Sequence, residues 1–596
     1  MRFTTKSFAE RTVDADFWGL RPNMTMSAEF HKYLVVGAGP GGLQTGYFLE
    51  KRGRDYLILE RTDAAAAFFS KFPVCRRLNS FNKKHNYFEE DEFNMRSDWN
   101  SLLSDEKIRF TPYTDDMYPA ADLVVQYMND FAKETNLKIR YGTEVTFIEK
   151  NERGHFVLTT SNGTFECEIL LMGVGPVKTV LPDIEGIEHT TDYGDQPRDL
   201  DWYRNKRVAI IGQGNSAFET ADRLLGVAAM VNVLLKRPAR FAWDTHHVGD
   251  IRATNKNIID MFQLKLLHGV LTPRIRRITK LDNGVLKTEH EYDYPDGDPP
   301  GTLHLTRQYD IIIRCTGWTW VPVDIFAPEL VPDTWYRGKY PELTSSWESV
   351  NIPNLFFVGG CMIGGDKETK SSSGFIHGYR YNIQTLVHLL DERFEGATYP
   401  TDVFDPLDWN KLIDWMYDRV SMTAALNELW GFMGDAIVVS KDLSRATILR
   451  ELPVANIRQR DFGDDHLLML TLEFGFHKHD AAPLSFSGPS DPTRPNMAVF
   501  LHPVIRHIHE GTEEEFHFGD SLLGRWDRPH SNGGAVMSYH ADFASWLEDR
   551  LGAPLGIDVP TGPSQYRAWS QDEINQWKEA QEPAFAVWQQ TGLTPE

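Results

Sequence analysis

Apolar residues in this chain fall into short runs, several of which end in glycine. Tyr33 to Val36 is such a run, which predicts a buried strand, and it leads into Gly37-Ala38-Gly39-Pro40-Gly41-Gly42. Helical spacing follows, with Leu43, Tyr47 and Phe48 as apolar positions, then a second strand, Tyr56 to Leu59, ending in Glu60. The same pattern returns at Val208 to Ile211, followed by Gly212-Gln213-Gly214-Asn215-Ser216-Ala217, a helix from Ala217 to Leu225, and a strand from Val231 to Leu235. Two more apolar runs end in glycine: Ile169 to Gly175, and Tyr309 to Gly317. Between the two glycine units the spacing predicts a helix over Ala121 to Asn136. Ile139 to Tyr141, Glu144 to Lys150, Phe156 to Thr160 and Thr164 to Glu168 predict a meander of strands. Ile352 to Gly360 predicts a further strand, and a helix is predicted after Gly374. From about residue 400 the pattern changes to a helical stretch, Trp409 to Trp430, then mixed strands and loops.

Strand, glycine turn, helix, strand and terminal acid together form the dinucleotide-binding fingerprint in its structural context. Gly37 permits the tight turn, Gly39 lets a pyrophosphate approach, and Gly42 lets the helix lie against the strand. The helix N-terminus offers free N–H groups and partial positive charge to phosphate. Glu60 is placed to accept from a ribose 2′-OH, so this unit is read as the FAD site. The second unit ends in Lys236 and Arg237 instead of an acid. A basic pair attracts a 2′-phosphate, which makes Gly212, Gly214, Asn215, Ser216, Lys236 and Arg237 the expected NADPH contacts.

The expected fold is α/β, with two nested Rossmann-like dinucleotide-binding domains plus a C-terminal α+β extension. The expected division is a lead-in over 1–31, a discontinuous FAD domain over 32–200 and 305–400, an NADPH domain over 201–304, and a C-terminal domain over 401–596. In this reading the Tyr309 to Gly317 strand marks the return to the FAD domain.

Charge and cysteine content narrow the chemistry. The 596-residue chain has a net charge of −22 and a pI near 5.4, which disfavours nucleic acid and anionic membranes as partners. Cys75, Cys167, Cys315 and Cys361 form no CxxC and no close pair, so no dithiol centre is expected. No apolar run reaches the ~18 residues of a membrane helix, and residues 1–30 lack a signal-peptide core. A cytoplasmic protein, with homo-oligomerisation left open, is the expectation. His502, His507, His509 and His517 cluster in sequence but match no metal template, so no metal is expected. The aromatic insert from Phe68 to Leu103 is too long for a simple connection, and Asn79, Asn82 and Lys83 are its polar candidates for the site. His246, His247, Asp250 and Arg252 are candidates to face the cleft between the two domains. His377, Arg380 and Tyr381 are placed near the cofactor edge by the helix after Gly374.

Two nucleotide units imply hydride transfer from NADPH to FAD. With no dithiol and no membrane face, molecular oxygen is the acceptor favoured by elimination. GQGNSAFETA, with GIEHTTDY upstream, resembles the class B flavin monooxygenases. LNSFNKKHN, EFNMRSDWNSLL, THHVGDIRATN, the KYP around Tyr340, SGFIHGYRY, SFSGPSD near Ser487 and FLHPVI at Phe500 resemble the FAD-dependent oxidoreductase domain-containing protein 2 family, over about residues 32–510. Animal members of that family reside in the endoplasmic reticulum with a signal peptide and a retention tail, neither of which is expected here. The chain also resembles microbial amino-acid N-hydroxylases, including those acting on L-aspartate.

These resemblances imply a C4a-hydroperoxyflavin enzyme that hydroxylates a small-molecule amine nitrogen with oxygen. Its alternative is an NADPH-dependent reductase or oxidase acting with a protein or thiol partner. The Baeyer–Villiger fingerprint is not met, because Tyr193 stands where that motif has Trp. The usual Asp of the third FAD motif is absent, which leaves Asp366 as the candidate for ribityl contacts. An acidic substrate needs cations, and Lys83, Arg252 and Arg380 are the candidates.

Overall fold

The computed structural model describes residues 28–294, 301–475, 495–497, 500–519, 521, 524–526 and 540–558. The lead-in over 1–27, the loop over 295–300 and the motif at Ser487 lie outside the described residues.

Glu29–Val36 forms the centre of the first sheet. Its strand neighbours, Tyr56–Leu59 and Gly163–Met172, both run parallel to it, with Tyr33 opposite Tyr56 and Ile169. Ile139–Arg140 and Leu355–Phe357 extend the parallel part of the sheet. Val145–Lys150 and Phe156–Thr160 add antiparallel strands against the N-terminal half of Gly163–Met172. The expected meander is therefore split. Ile139–Arg140 joins the parallel edge, while Thr164 to Glu168 and the apolar run after it are one continuous strand. A single long strand serves both, because its first half pairs with the meander and its second half with Leu355–Phe357.

The second sheet is all parallel, in the order Gly269–Leu271, Met230–Leu234, Arg207–Ile211, Ile311–Arg314, Thr191–Asp192. Ile311–Arg314 lies beside Arg207–Ile211 at the heart of this sheet. It therefore belongs to the second nucleotide fold and does not mark a return to the first, as its apolar run had been read. Thr191–Asp192 is drawn in as well, so the second fold reaches past 201–304 at both ends. The physical reason is that an all-apolar strand is stable when buried on both faces, and the centre of a parallel sheet offers that. Ile311, Ile312 and Ile313 are all buried there. A three-stranded antiparallel sheet, Arg274–Lys280, Leu286–Tyr294 and Gly301–Tyr309, packs onto it.

The C-terminal region builds a six-stranded antiparallel sheet from Asp402–Phe404, Ala446–Pro453, Met433–Val439, His466–Glu473, His502–His509 and Thr512–His517. The helices Trp409–Met422 and Ala424–Glu428 replace the single helical stretch expected, with Thr423 capping the second through its hydroxyl. One continuous apolar core runs from the first sheet through the helix Ile376–Phe394 into this C-terminal sheet. The second nucleotide fold has its own two cores, one on each face of its sheet.

Among the described residues no helix is long and apolar enough to cross a membrane. His507 and His509 do come together, but with His466 of the neighbouring strand: His466 Nδ1 lies 3.0 Å from His507 Nε2 and its ring stacks on His509 at 4.0 Å. His502 pairs separately with His517 at 3.0 Å. No group of three or more His, Cys, Asp or Glu among the described residues is arranged to hold a metal ion.

Candidate active site

The two glycine turns face one continuous cavity of about 2870 Å³, and both helix N-termini open into it. Pro40–Lys51 starts at Gly39 and Asn215–Leu224 starts at Gly214, both glycines being extended. A Cβ added at Gly39 or Gly214 would meet nothing within 4 Å, so each turn leaves open space in front of its N–H groups. The glycines behind them are closed in. A Cβ at Gly42 would lie 1.9 Å from the Gly37 carbonyl oxygen, and one at Gly212 would lie 2.3 Å from that of Cys315. This is the arrangement a pyrophosphate requires: open donors in front, with the backbone packed close behind.

Glu60 lies at the end of its strand, as expected, with its carboxylate engaged locally. It accepts from the Ala38 N–H at 2.7 Å and from the Thr62 N–H at 3.0 Å. This holds the glycine turn against the second strand while Glu60 still lines the cavity. Lys236 and Arg237 are exposed, line the cavity and have no carboxylate partner among the described residues.

The structure supports the cavity position of only some of the other candidates. Asn79, Asn215, Ser216, Arg252, Asp366 and His377 line the cavity. Asn82, Lys83 and Arg380 do not. Asn82 is buried and donates to the carbonyls of Thr114 at 2.9 Å and Asp116 at 3.2 Å, and Lys83 is exposed away from the cavity. Arg380 is fully buried and donates to the carbonyls of Asp98 (2.8 Å), Ser101 (2.9 Å) and Met95 (2.8 Å). The insert Met95–Ser101 loops around its guanidinium, because buried carbonyls without helix or sheet partners need donors. Arg380 is therefore a brace for the insert and offers nothing to a ligand.

Asp366 also works on its own loop. Its carboxylate accepts from the N–H groups of Lys370 (2.9 Å) and Ser371 (2.8 Å) and from the hydroxyls of Thr369, Ser371 and Ser373. Asn215 is likewise a support: its Oδ1 accepts from the Arg252 N–H at 2.9 Å and its Nδ2 donates to the Asp250 carbonyl at 2.8 Å. It ties the segment carrying Arg252 to the start of the second nucleotide helix.

Arg252 itself stands against a pair of aromatic rings whose centres are 4.5 Å apart. Its guanidinium carbon is 4.7 Å from the Phe81 ring centre and 4.6 Å from that of Trp99. Stacking of this kind fixes a guanidinium by cation–π attraction while its N–H edges stay available. Burial lowers its pKa, and the guanidinium has no hydrogen-bond or carboxylate partner among the described residues. His377 stacks on Trp99 with ring centres 4.2 Å apart and planes at 16°. Burial, then the charges of Arg380 and Arg252, push the His377 pKa well below its ordinary value, so the imidazole is neutral. Phe81 and Trp99 were not singled out from sequence; the aromatic richness of the insert was the signal available.

A second aromatic group joins the two nucleotide folds. Phe72 stacks on Tyr193 at 5.5 Å, and Trp318 meets both edge-on. The Tyr193 hydroxyl accepts from the Val74 N–H at 2.8 Å and donates to Glu219.

With this geometry in place, the relatives can be set beside it. Residues 34–359 match the model of the pyridine nucleotide-disulphide oxidoreductase family. The chain is 32% identical over 580 residues to FAD-dependent oxidoreductase domain-containing protein 2 of Danio rerio, spanning 86% of this chain and 82% of that one. The chain belongs to this family of flavin-dependent oxidoreductases. Its members are FAD- and NADP(H)-binding flavoenzymes, as the two glycine turns imply. The indole-3-pyruvate monooxygenase YUCCA6 of Arabidopsis thaliana is 25% identical over 256 residues, 39% of this chain and 53% of its own. Among solved structures, a flavin-containing monooxygenase from Stenotrophomonas maltophilia has a TM-score of 0.47 at 18% identity, covering 61% of this chain and 99% of that one.

Proposed function

We propose that the protein is an FAD- and NADPH-dependent monooxygenase that hydroxylates the amine nitrogen of a small molecule. FAD, when bound, supplies hydride acceptance from NADPH and activation of oxygen. The single observation that carries the reading is the state of the four thiols around the cavity that joins both cradles, of which only Cys315 lines it. Burial pushes the thiols of Cys167, Cys315 and Cys361 far up, and burial with the nearby Glu219 raises Cys75 to about 11. A thiol of that pKa holds almost no thiolate at neutral pH and is a poor redox nucleophile. Electrons entering the cavity therefore meet no reactive thiol of this chain, and oxygen is the acceptor that needs none.

The residues assign the remaining tasks. The glycine turns hold the two pyrophosphates, with Lys236 and Arg237 on the 2′-phosphate. The aromatic walls exclude water. Arg252, stacked and unpartnered, binds a carboxylate of the substrate, which makes an amino acid the substrate class we favour, with acidic ones such as L-aspartate among the candidates. A neutral His377 beside it does not repel or protonate the amine.

The test is turnover of the FAD-loaded protein with NADPH and isotopically labelled oxygen, over a panel of amino acids and other amines. Label appearing in an N-hydroxylated product supports the reading and names the substrate. NADPH oxidation that yields only peroxide with every amine refutes it in favour of a reductase or oxidase with a protein or thiol partner.

A further inference from the structure

Among the described residues, Glu428 of the C-terminal region lies directly behind His377 of the cavity wall. Glu428 ends the short helix Ala424–Glu428, and its Oε2 lies 3.5 Å from His377 Nε2. Both side chains are buried, at 5% and 2% exposure. His377 Nε2 makes no hydrogen bond among the described residues, and the carboxyl of Glu428, 3.5 Å away, is the polar group it faces. The helix is held in register by Arg96 of the insert, whose guanidinium donates to the carbonyls of Thr423 (2.9 Å), Val420 (3.0 Å) and Gly524 (2.9 Å). The same insert carries Trp99, on which His377 stacks. Glu428, His377, Trp99 and Arg252 thus form one column from the C-terminal core to the cavity.

We propose that Glu428 is a positioning residue of the cleft: as a carboxylic acid it donates its proton to His377 Nε2, fixing the imidazole tautomer and its stacking on Trp99. The C-terminal region then completes the site, a task its sequence does not disclose. No net proton is transferred; the O–H of Glu428 donates to a neutral ring whose other nitrogen carries the N–H.

The surrounding charges fit this state. Arg380 and Arg96 face Glu428, Arg252 and Tyr381 lie further along the column, Glu92 approaches Arg96 and Tyr381 from the insert, and Ser372 and Trp99 offer donors. Burial outweighs the two arginines and raises the Glu428 pKa to about 8. The acid form therefore holds at neutral pH and is lost above it. Once ionised, Glu428 offers Nε2 no donor and places a negative charge in the column that ends at Arg252.

This inference rests on the cavity being the reaction site, and two experiments separate its failure from failure of that reading. Infrared difference spectra of wild type against Glu428→Gln, without turnover, are expected to show a protonated-carboxyl band that titrates away near pH 8. The rate of NADPH oxidation by the FAD-loaded protein is expected to fall about tenfold from pH 7 to pH 9, the loss for one group of pKa near 8. In Glu428→Gln, whose amide still donates to Nε2, the rate is expected to change less than about twofold over that range. Glu428→Leu, which donates nothing, is expected to be slow at both pH values. A missing band, or a Gln variant with the wild-type pH profile, overturns the proposal whatever the substrate proves to be.

Discussion

Replacing Arg380 by Met tests the strongest correction that the structure makes to the sequence reading. The substitution keeps the aliphatic stem and removes donors to three carbonyls, those of Met95, Asp98 and Ser101, at 2.8–2.9 Å. The Met95 carbonyl still accepts from the Asp98 N–H at 3.3 Å, so two carbonyls are left without a partner at about 1–2 kcal/mol each, a loss of roughly 2–4 kcal/mol. For cores of this size that lowers Tm by roughly 4–16 °C. The assay is thermal unfolding of purified protein, followed by tryptophan fluorescence and far-ultraviolet circular dichroism. Arg252→Met is the control: its guanidinium makes no such bonds, and its Tm is expected within about 3 °C of wild type, while substrate affinity falls. Arg380→Lys is expected to recover only part of the stability, because one ammonium on a shorter stem cannot span three carbonyls. If Arg380→Met unfolds within about 2 °C of wild type but weakens substrate binding as Arg252→Met does, the argument that Arg380 is a brace is wrong.

Gly42→Ala puts a methyl 1.9 Å from the Gly37 carbonyl oxygen, so the purified variant is expected to lack bound flavin by absorbance; a stoichiometric FAD content contradicts the cradle. Lys236→Glu together with Arg237→Glu is expected to lower kcat/KM for NADPH by roughly 10–100-fold, the equivalent of one or two lost charge-assisted bonds, with NADH little affected. Equal losses with both nucleotides would remove these residues from the 2′-phosphate. Glu219 is buried and its pKa is raised to about 7, mainly by desolvation. A raised carboxyl pKa favours the fold below the unfolded value near 4.5, and that contribution disappears as pH rises through about 7. Glu219→Gln is therefore expected to flatten the decline in denaturation midpoint between about pH 5 and pH 7, by up to about 3 kcal/mol, and an unchanged decline would contradict the assignment.

Both nucleotide cradles were legible in the sequence because their signal is local: glycines at fixed offsets between an apolar strand and a helix, within one short stretch of chain. The terminal acid and the basic pair are equally local, and the structure finds Glu60, Lys236 and Arg237 lining the cavity. Strand membership was less so. The run at Ile311–Arg314 looks like that ending at Met172, yet it pairs in the other sheet, because apolarity specifies burial and not the partner. The candidate arginines show the same limit. Arg252 and Arg380 are both candidate cations for the cleft in sequence, and only the tertiary fold decides that one lines the cavity against Phe81 and Trp99 while the other is enclosed by an insert some 280 residues away. Glu428 was invisible for the same reason. Its meaning comes from His377 and Trp99, which belong to other segments of the chain, and it is their packing in one apolar core that removes it from water. Sequence by itself determined the nucleotides this protein is built to hold; the desolvation and neighbour placement that assign work to each polar side chain exist only once the chain is folded.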